Sequence, residues 1–343
     1  MSYKNSLVMA YIGEDTPHRG DSKAAIGLSK LVAEILNGRY IYVDADMLEK
    51  SFPGIGTLKD RLLALYAREG YPDIVIGPQE PYLPEDLSLH SPLMITGINE
   101  RISERSRTRQ AKKLVSHHLT RADLKREADL FRQHYPDIQG PLTGIFLADD
   151  LWEIEIIRYA DKLRDIGSRY PEMTFFICPS RRSDSSPDRL KFEIEHESSF
   201  WRKIEKSGSP LESLKTAFRE ATHYSGKSHD KIRVMGTSWE EALSGYNPYI
   251  GLLGAADHLV VSGGSLSIVS EALFTGKNIY LMNEKYDYTA LEKEGYVQDL
   301  LELSSRRKFP TREMPPLDVT REVAQSIVDE HLSRNSPVPS LAA

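Results

Sequence analysis

Short apolar runs alternate with amphipathic stretches along most of this chain. Runs of about the length of a buried strand fall at 7–12, 40–43, 73–77, 93–96, 142–147, 174–178, 232–235, 258–261 and 278–282, with a shorter one at 114–115. Between them, apolar side chains recur at helical spacing at 22–36, 58–67, 151–168, 192–218, 249–253, 267–274 and 319–332. This alternation predicts an α/β fold with parallel sheets, because each parallel pair of strands needs a crossover connection.

The alternation occurs twice, with a break between the two runs. Proline and glycine cluster at 137–141, and the first strand of the second run begins directly afterwards at Leu142. We therefore expect an N-terminal α/β domain at 1–138, a C-terminal one at 139–318, and a last segment, 319–343, that forms a helix and a tail. A chain of 343 residues has the length of two domains of ordinary size.

Composition and charge exclude several classes of protein. With 40% hydrophobic and 27% charged residues, the chain has enough apolar surface to fold. Its net charge of −6 argues against a dedicated nucleic-acid-binding protein. The stretch 99–113 is nevertheless strongly basic, which indicates either a solvated face or a site for an anionic group. The single cysteine, Cys178, can form neither an intramolecular disulfide nor a cysteine-based zinc site.

The apolar pattern also bears on location. No apolar stretch approaches the roughly 18 residues of a membrane-spanning helix. The first apolar run is too short for the core of a signal peptide. We therefore expect a cytoplasmic protein, and peripheral contact with a membrane surface stays open.

The sequence 262–265 is a Gly/Ser loop that joins a predicted strand to a predicted helix. Gly263 and Gly264 allow the backbone to approach a ligand closely and to adopt positive φ. The start of the next helix offers unpaired N–H groups and a partial positive charge. These two features suit a diphosphate. The loop matches neither the dinucleotide fingerprint nor the P-loop pattern, so neither of those two kinds of site is indicated.

Three polar side chains accompany this loop. Ser265 and Ser267 can donate hydrogen bonds to a phosphate or cap the helix. Glu271 follows Ser267 by four residues and therefore lies one turn along the same helix face. Its carboxylate can accept hydrogen bonds from a ribose or sugar hydroxyl, or can bond within the chain.

A second anion-binding candidate follows the predicted strand 174–178. Ser180, Arg181 and Arg182 lie at its carboxyl end, where ligands of open α/β sheets collect. The two arginines can clamp a phosphate or form a solvated pair. We expect Cys178 to be a packing residue and not a nucleophile, because no activating partner is identifiable.

General bases can be sought in two loops of the first domain. His18 and Asp21 follow the first strand, and Glu80 follows the strand 73–77. The alternative is an exposed polar loop in which Asp21 caps the helix. The adjacent His117 and His118 do not suit a metal, since neighbouring strand residues point to opposite faces.

The segment 246–281 resembles the signature of the mitochondrial-fission ELM family, whose members are regarded as candidate glycosyltransferases. The elements of the resemblance are Asn247-Pro248-Tyr249, the strand and Gly/Ser loop, Ser270-Glu271-Ala272, Thr275-Gly276-Lys277 and, earlier in the chain, Ser180-Arg181-Arg182. That family is similar in turn to glycosyltransferases of the GT-B architecture, in which two Rossmann-like domains face each other across a cleft.

The resemblance implies a metal-independent glycosyltransferase that needs no cofactor, binds no nucleic acid, and uses a nucleotide-sugar donor and an unknown acceptor. The donor would contact Ser180, Arg181, Arg182, Gly263, Gly264, Ser265, Ser267 and Glu271. The acceptor would bind the N-terminal domain, where His18, Asp21 or Glu80 serves as base, and the last helix would cross back toward that domain. The alternatives are a sugar-nucleotide epimerase or hydrolase of the same fold, or a non-catalytic nucleotide-binding scaffold that acts through protein partners.

Overall fold

The computed structural model describes residues 6–13, 20–78, 81–83, 92–96, 114–148, 151–180, 182–183, 186–196, 232–283, 285–303 and 314–335. Their strands and helices are, in chain order, β1 Leu7–Gly13, α1 Gly20–Leu36, β2 Arg39–Asp44, α2 Ala45–Ser51, α3 Leu58–Glu69, β3 Ile74–Gly77, β4 Leu93–Thr96, α4 Arg121–His134, β5 Leu142–Phe146, α5 Glu153–Arg169, β6 Thr174–Cys178, α6 Ser186–Glu195, β7 Arg233–Gly236, α7 Trp239–Ser244, α8 Tyr249–Ala255, β8 His258–Ser262, α9 Leu266–Thr275, β9 Asn278–Met282, α10 Thr289–Lys293, β10 Val297–Asp299 and α11 Val319–Arg334. None of these helices is long and apolar enough to cross a bilayer.

The chain divides into two compact units. Unit 1 consists of Met1–Thr120 and Pro316–Ala343, and unit 2 consists of Arg121–Pro315. Each unit contains one parallel sheet, with the order β2-β1-β3-β4 in unit 1 and β10-β9-β8-β5-β6-β7 in unit 2. The α/β fold with parallel sheets that the apolar pattern predicts is therefore confirmed.

Unit 1 is built around β1, which is buried along its whole length. Helix α1 covers the sheet, and at Gly27 a Cβ would lie 2.5 Å from the Cα of His118, so only glycine permits this approach. The last helix, α11, belongs to the same unit. The Thr320 hydroxyl accepts a hydrogen bond from the His117 N–H at 2.8 Å and donates one to the His117 carbonyl at 3.1 Å.

The bond between Thr320 and His117 also accounts for one difference from the sequence prediction. The strand expected at 114–115 is absent, and residues 114–120 are irregular. The backbone polar groups of His117 are bonded to a side chain of α11 instead of a neighbouring strand. The prediction of a strand at this point was wrong. The residue that bonds the His117 backbone, Thr320, lies 203 residues away along the chain, so the local sequence does not reveal it.

Unit 2 begins at Arg121, earlier than the boundary expected near 137–141. Helix α4 accounts for the difference, since it packs on α8 and on the sheet of unit 2. The ring of Phe131 meets that of Phe176 of β6 edge-on, with 5.1 Å between centroids. On α8, a Cβ at Gly251 would lie 2.7 Å from the carbonyl oxygen of Glu127 of α4. The proline and glycine cluster therefore follows the first helix of unit 2 and does not precede the unit.

Candidate functional site

The order of strands in unit 2 marks a crevice at one edge of its sheet. The chain leaves β5 toward β6 and β7, and later returns to place β8 on the other side of β5. The connections that follow β5 and β8 therefore diverge. Ligands of open parallel sheets bind in the crevice outside the carboxyl ends of strands at such a point. Because β8 ends at Ser262, the Gly/Ser loop lines this crevice.

Hydrogen bonds to neighbouring segments hold the Gly/Ser loop. The Gly263 N–H donates to the Met282 carbonyl at 2.7 Å, and the buried Tyr288 hydroxyl donates to the Gly263 carbonyl at 2.8 Å. Neither Gly263 nor Gly264 has positive φ, so the loop does not use the left-handed conformation that glycine allows. What the two glycines contribute is the absence of a side chain in front of the following helix.

Helix α9 begins at the end of this loop. Ser265 is its N-cap, and its hydroxyl accepts a hydrogen bond from the Ile268 N–H at 3.5 Å. The N–H groups of Leu266 and Ser267 have no acceptor within the part of the chain that the structure describes, and both residues are partly exposed. The first turn of α9 carries no acidic residue. The start of the helix therefore offers two backbone donors to an anion.

Glu271 lies deeper along α9 and already has a partner. Its side chain is 8% exposed and accepts a hydrogen bond from the hydroxyl of Tyr249, the first residue of α8. Burial and the neighbouring charge of Glu271 raise the pKa of Tyr249 well above its usual range, so the phenol stays protonated and donates. The structure thus joins the Asn-Pro-Tyr and Ser-Glu-Ala elements of the sequence signature through one contact.

The Ser-Arg-Arg element ties the carboxyl ends of two strands together. The Ser180 hydroxyl donates to the Ala148 carbonyl just after β5, at 2.6 Å, and accepts from the Arg182 N–H at 3.1 Å. The Arg182 side chain is exposed, and Arg181 lies outside the described residues. Cys178 is buried, and burial raises the pKa of its thiol to about 12, which fits a packing role.

The candidate bases follow β1 and β3 of unit 1 along the chain. These two strands are neighbours, and the chain leaves them toward opposite sides of the sheet, which marks a second crevice of the same kind. Asp21 lies in the first turn of α1, whereas His18 and Glu80 are outside the described residues, as is the basic stretch 99–113. Within the described ranges, no group of three or more His, Cys, Asp or Glu residues could hold a metal ion.

Sequence reasoning missed the role of Lys277. Its ammonium donates to the carbonyl oxygens of Leu253 at 2.7 Å and Gly254 at 2.6 Å, in the last turn of α8. Carbonyls at a helix C-terminus have no partner within the helix and favour a cation. Lys277 is therefore a cap of α8, which gives the Thr-Gly-Lys element a structural role. The contact spans 23 residues, and no local pattern indicates it.

We expect Lys277 to make stability depend on pH under mildly alkaline conditions. Burial lowers the pKa of Lys277 to about 8 from its ordinary 10.5. Between these two pH values the unfolded chain binds more protons than the folded chain, so the contribution of Lys277 to stability rises with pH. Below about pH 8 the side chain is protonated in both states, and its contribution no longer changes with pH. From pH 7.5 to 9.5, the free energy of unfolding of the wild type should gain about 1–2 kcal/mol relative to Lys277→Met.

Urea denaturation at both pH values measures this difference. The exposed Lys293→Met variant of α10 serves as the control, and its offset from the wild type should stay constant. A constant offset for Lys277→Met as well would contradict the lowered pKa.

Comparison with known proteins agrees with the sequence signature. A family model described as mitochondrial fission ELM1 matches residues 225–331, a range that contains α8, β8, the Gly/Ser loop and α9. No curated protein sequence matches the chain.

Solved structures of low sequence identity are similar to the chain over most of its length. A Methanocaldococcus jannaschii UDP-GlcNAc 2-epimerase in complex with UDP-GlcNAc and UDP is 11% identical, covers 96% of this chain and 100% of its own, and has a TM-score of 0.44. A glycosyl transferase family 9 protein from Veillonella parvula is 11% identical, with coverages of 96% and 99% and a TM-score of 0.40. A glycosyltransferase from Rickettsia africae is 10% identical, with coverages of 97% and 94% and a TM-score of 0.37. The resemblance read from residues 246–281 is confirmed by the family model, which identifies residues 225–331 as a match to the mitochondrial fission ELM1 family.

Proposed function

We propose that unit 2 binds a nucleotide-activated sugar at the carboxyl edge of its sheet, and that the protein transfers the sugar to an acceptor hydroxyl without a metal ion. The observation that carries this proposal is the start of α9, where the N–H groups of Leu266 and Ser267 are available beside the crevice between β5 and β8. A helix N-terminus with free N–H groups favours a diphosphate. The residues assigned to the donor are Ser180, Arg181, Arg182, Gly263, Gly264, Ser265, Ser267 and Glu271.

The proposed transfer follows from charge development on the donor. The acceptor oxygen forms a bond to the anomeric carbon while the bond from that carbon to the diphosphate oxygen breaks. The electron pair of the broken bond stays on the departing nucleoside diphosphate, where negative charge rises. Fixed N–H donors at the α9 N-terminus stabilise such charge without reorganising. The diphosphate would thus be held more tightly as it leaves.

The acceptor proton needs a base in this scheme. His18, Asp21 and Glu80 are the proposed candidates, because each follows β1 or β3 along the chain, and ligands of parallel sheets bind outside the carboxyl ends of neighbouring strands of this kind. A base at this point would take the proton as the acceptor oxygen attacks. Each candidate is tested by its own substitution, His18→Ala, Asp21→Asn or Glu80→Gln, and only the loss of the true base should lower turnover by about 100-fold or more while donor affinity is kept.

A second candidate function is a nucleotide-binding scaffold without turnover. The observation that favours it is that Ser265 and Glu271 both have partners inside the chain, in Ile268 and Tyr249. Binding alone cannot separate a scaffold from an enzyme, so turnover of labelled nucleotide sugar decides. Turnover without acceptor would support the hydrolase or epimerase alternative, and turnover that needs an acceptor and persists in EDTA would support the metal-independent transferase.

Donor binding is tested by calorimetry with UDP, GDP, ADP and CDP on the full chain. At least one should bind, and at 100 times its Kd it should stabilise the fold by about 2.7 kcal/mol. The variant Gly264→Val puts a branched side chain in front of the α9 N-terminus at a residue without positive φ, and should weaken binding at least about tenfold. Gly56→Val, at an open position of unit 1, is the matched control and should bind as the wild type does. No binding of any of the four would contradict the proposal.

A further inference from the structure

Asn283 has a backbone conformation that is unusual for a residue other than glycine. Within the described part of the chain, only Asn37 and Asn283 combine a side chain with positive φ. Asn37 follows α1, where the Gly38 N–H donates to the Ala33 carbonyl at 2.9 Å and closes the end of the helix. Asn283, with a φ of 49°, instead follows β9 at the carboxyl edge of the sheet of unit 2. Because such strain persists most often at ligand sites, the turn at Asn283 points toward a ligand.

A tyrosine of α5 holds this turn. The Asn283 N–H donates to the Tyr159 hydroxyl at 2.5 Å, and Tyr159 packs in the apolar core beneath α5. Burial raises the pKa of Tyr159, so the group remains a neutral phenol that accepts this bond. The side-chain amide of Asn283 is half-buried and has no hydrogen-bond partner among the residues that the structure describes. The backbone of Asn283 is therefore fixed, while its amide keeps its capacity to donate and accept.

The last residue of β8 adds a second polar group at this edge. Ser262 pairs in register with Met282, the residue before Asn283. Alternation along β8 puts Ser262 on the same face as Val260, which packs in the apolar cluster that contains Tyr159. The Ser262 hydroxyl is fully buried and has no hydrogen-bond partner in the described ranges. An unpaired buried hydroxyl costs free energy unless a bound molecule supplies a partner.

Both polar groups lie beside the Gly/Ser loop of the proposed donor site. The Gly263 N–H donates to the Met282 carbonyl at 2.7 Å. Gly263 and Asn283 are thus the first residues beyond two paired strands, which run about 5 Å apart. Helix α9 begins at Leu266, three residues after Gly263. A ligand whose diphosphate binds at the start of α9 can therefore extend to Asn283.

The chemistry of these groups favours a neutral ring that carries hydroxyls. A sugar hydroxyl both donates and accepts, and so do a side-chain amide and a serine hydroxyl. Neither group carries a charge, so they attract a phosphate less than a helix N-terminus does. A nucleobase is bound largely by stacking on an aromatic face, whereas the ring of Tyr159 is buried in the core. The sugar is therefore the part of the donor that matches this edge.

We propose that Asn283 recognises hydroxyls of the sugar that the donor carries, and that Tyr159 is the positioning residue that holds Asn283 in its turn. The inference rests on the proposed donor site and deepens it, because it names the residue that distinguishes one donor sugar from another. The amide donates from its nitrogen and accepts at its oxygen, which suits a pair of neighbouring hydroxyls.

The test uses Asn283→Gly in the full chain, with Asn37→Gly as the matched control. Glycine adopts positive φ without strain, so each change removes a side-chain amide and keeps the backbone turn. Calorimetry compares esters of the terminal phosphate of UDP, GDP, ADP and CDP. The methyl ester is the reference, and the glucose, galactose, mannose and N-acetylglucosamine esters carry the sugars. All esters of one nucleotide have the same charge, so the comparison isolates the sugar.

In the wild type and in Asn37→Gly, at least one sugar ester should bind at least about tenfold more tightly than the methyl ester of the same nucleotide. In Asn283→Gly this gain should fall below about threefold, while the affinity for the methyl ester stays unchanged. Tyr159→Phe removes the acceptor of the Asn283 N–H and should lower the gain as well. Added to Asn283→Gly, it should lower the gain no further, because Tyr159 acts through Asn283.

The outcomes separate the two proposals. If the wild type binds none of the esters, the donor site fails and the inference fails with it. If it binds them without any gain from a sugar, or if Asn283→Gly keeps the gain, recognition by Asn283 is overturned and the donor site stands. Equal weakening of methyl and sugar esters would also overturn it, because a merely structural role produces a uniform loss. Every variant must match the circular dichroism of the wild type, and Asn283→Asp, which should lose the gain too, decides if Asn283→Gly does not fold.

Discussion

Phe176→Ala should lower the free energy of unfolding of unit 2 by about 3–5 kcal/mol. Phe176 is fully buried in the middle of β6, and its ring meets two aromatic rings of the α4 region edge-on. The centroid distances are 5.1 Å to Phe131 and 4.8 Å to Tyr135. Truncation to alanine removes these contacts and leaves a cavity that a sheet strand cannot close by moving, so both the transfer and the cavity contributions are lost.

Hydrogen exchange read by mass spectrometry is the suitable measurement, because a chain of two units need not unfold in a single transition. In Phe176→Ala, amides of α4 and of the six-stranded sheet should exchange faster, and those of β1 to β4 should not. Leu243→Ala, at a side chain of unit 2 that is 66% exposed, is the control and should cost less than about 0.5 kcal/mol. Unchanged exchange in α4 would contradict its assignment to unit 2.

A double-mutant cycle isolates the contact itself. Phe131→Ala should destabilise the same amides as Phe176→Ala, since Phe131 is 1% exposed and faces it. The two changes should be less than additive by about 0.5–1.5 kcal/mol, the usual coupling of an aromatic pair. Additive losses would mean that the two rings contribute through separate contacts.

The strands of this fold could be predicted from the sequence with good accuracy, and some of the helices could not. The strands β4, β6 and β9 have the predicted bounds, because each is an apolar run that stops at a polar residue or a break. Helix α4 was missed since only Leu124 and Phe131 are buried among its many charged residues. Two buried positions seven residues apart make two turns of a helix, but they give a weak periodic signal.

The local order of elements around the candidate site could be predicted from the sequence, and the contacts of its residues could not. The order of strand, Gly/Ser loop and helix is local, and the structure has it at 258–275 as expected. The partners inside the site are set by tertiary packing. Tyr249 and Glu271 lie 22 residues apart and Lys277 reaches Gly254 across 23, so no spacing rule of a helix or strand pairs them. The sequence signature that resembles the ELM1 family is for this reason partly a signature of packing around α8.

The glycine pair of α8 supplies the second large effect, since Gly254→Ala should destabilise unit 2 although alanine favours helices. A Cβ at Gly254 would overlap the carbonyl oxygen of Leu124 and lie 3.0 Å from the Cβ of Ala128, both on α4. Helix propensity alone would gain about 1 kcal/mol from this change. Overpacking against a backbone atom costs about 1–3 kcal/mol and sometimes more, because α4 has no side chain there that can rotate away.

The sign of the measured change therefore decides between propensity and packing. We expect a net loss on the order of 2 kcal/mol in the free energy of unfolding, seen as faster hydrogen exchange in α4 and α8. Gly56→Ala, with no atom within 4 Å of the added Cβ, removes the same backbone freedom without a clash and should be neutral or stabilising. A gain of stability in Gly254→Ala would show that α4 and α8 do not approach closely. The resemblance at 246–281 would then need another explanation for its glycines, because close helix packing is what makes Gly251 and Gly254 necessary here.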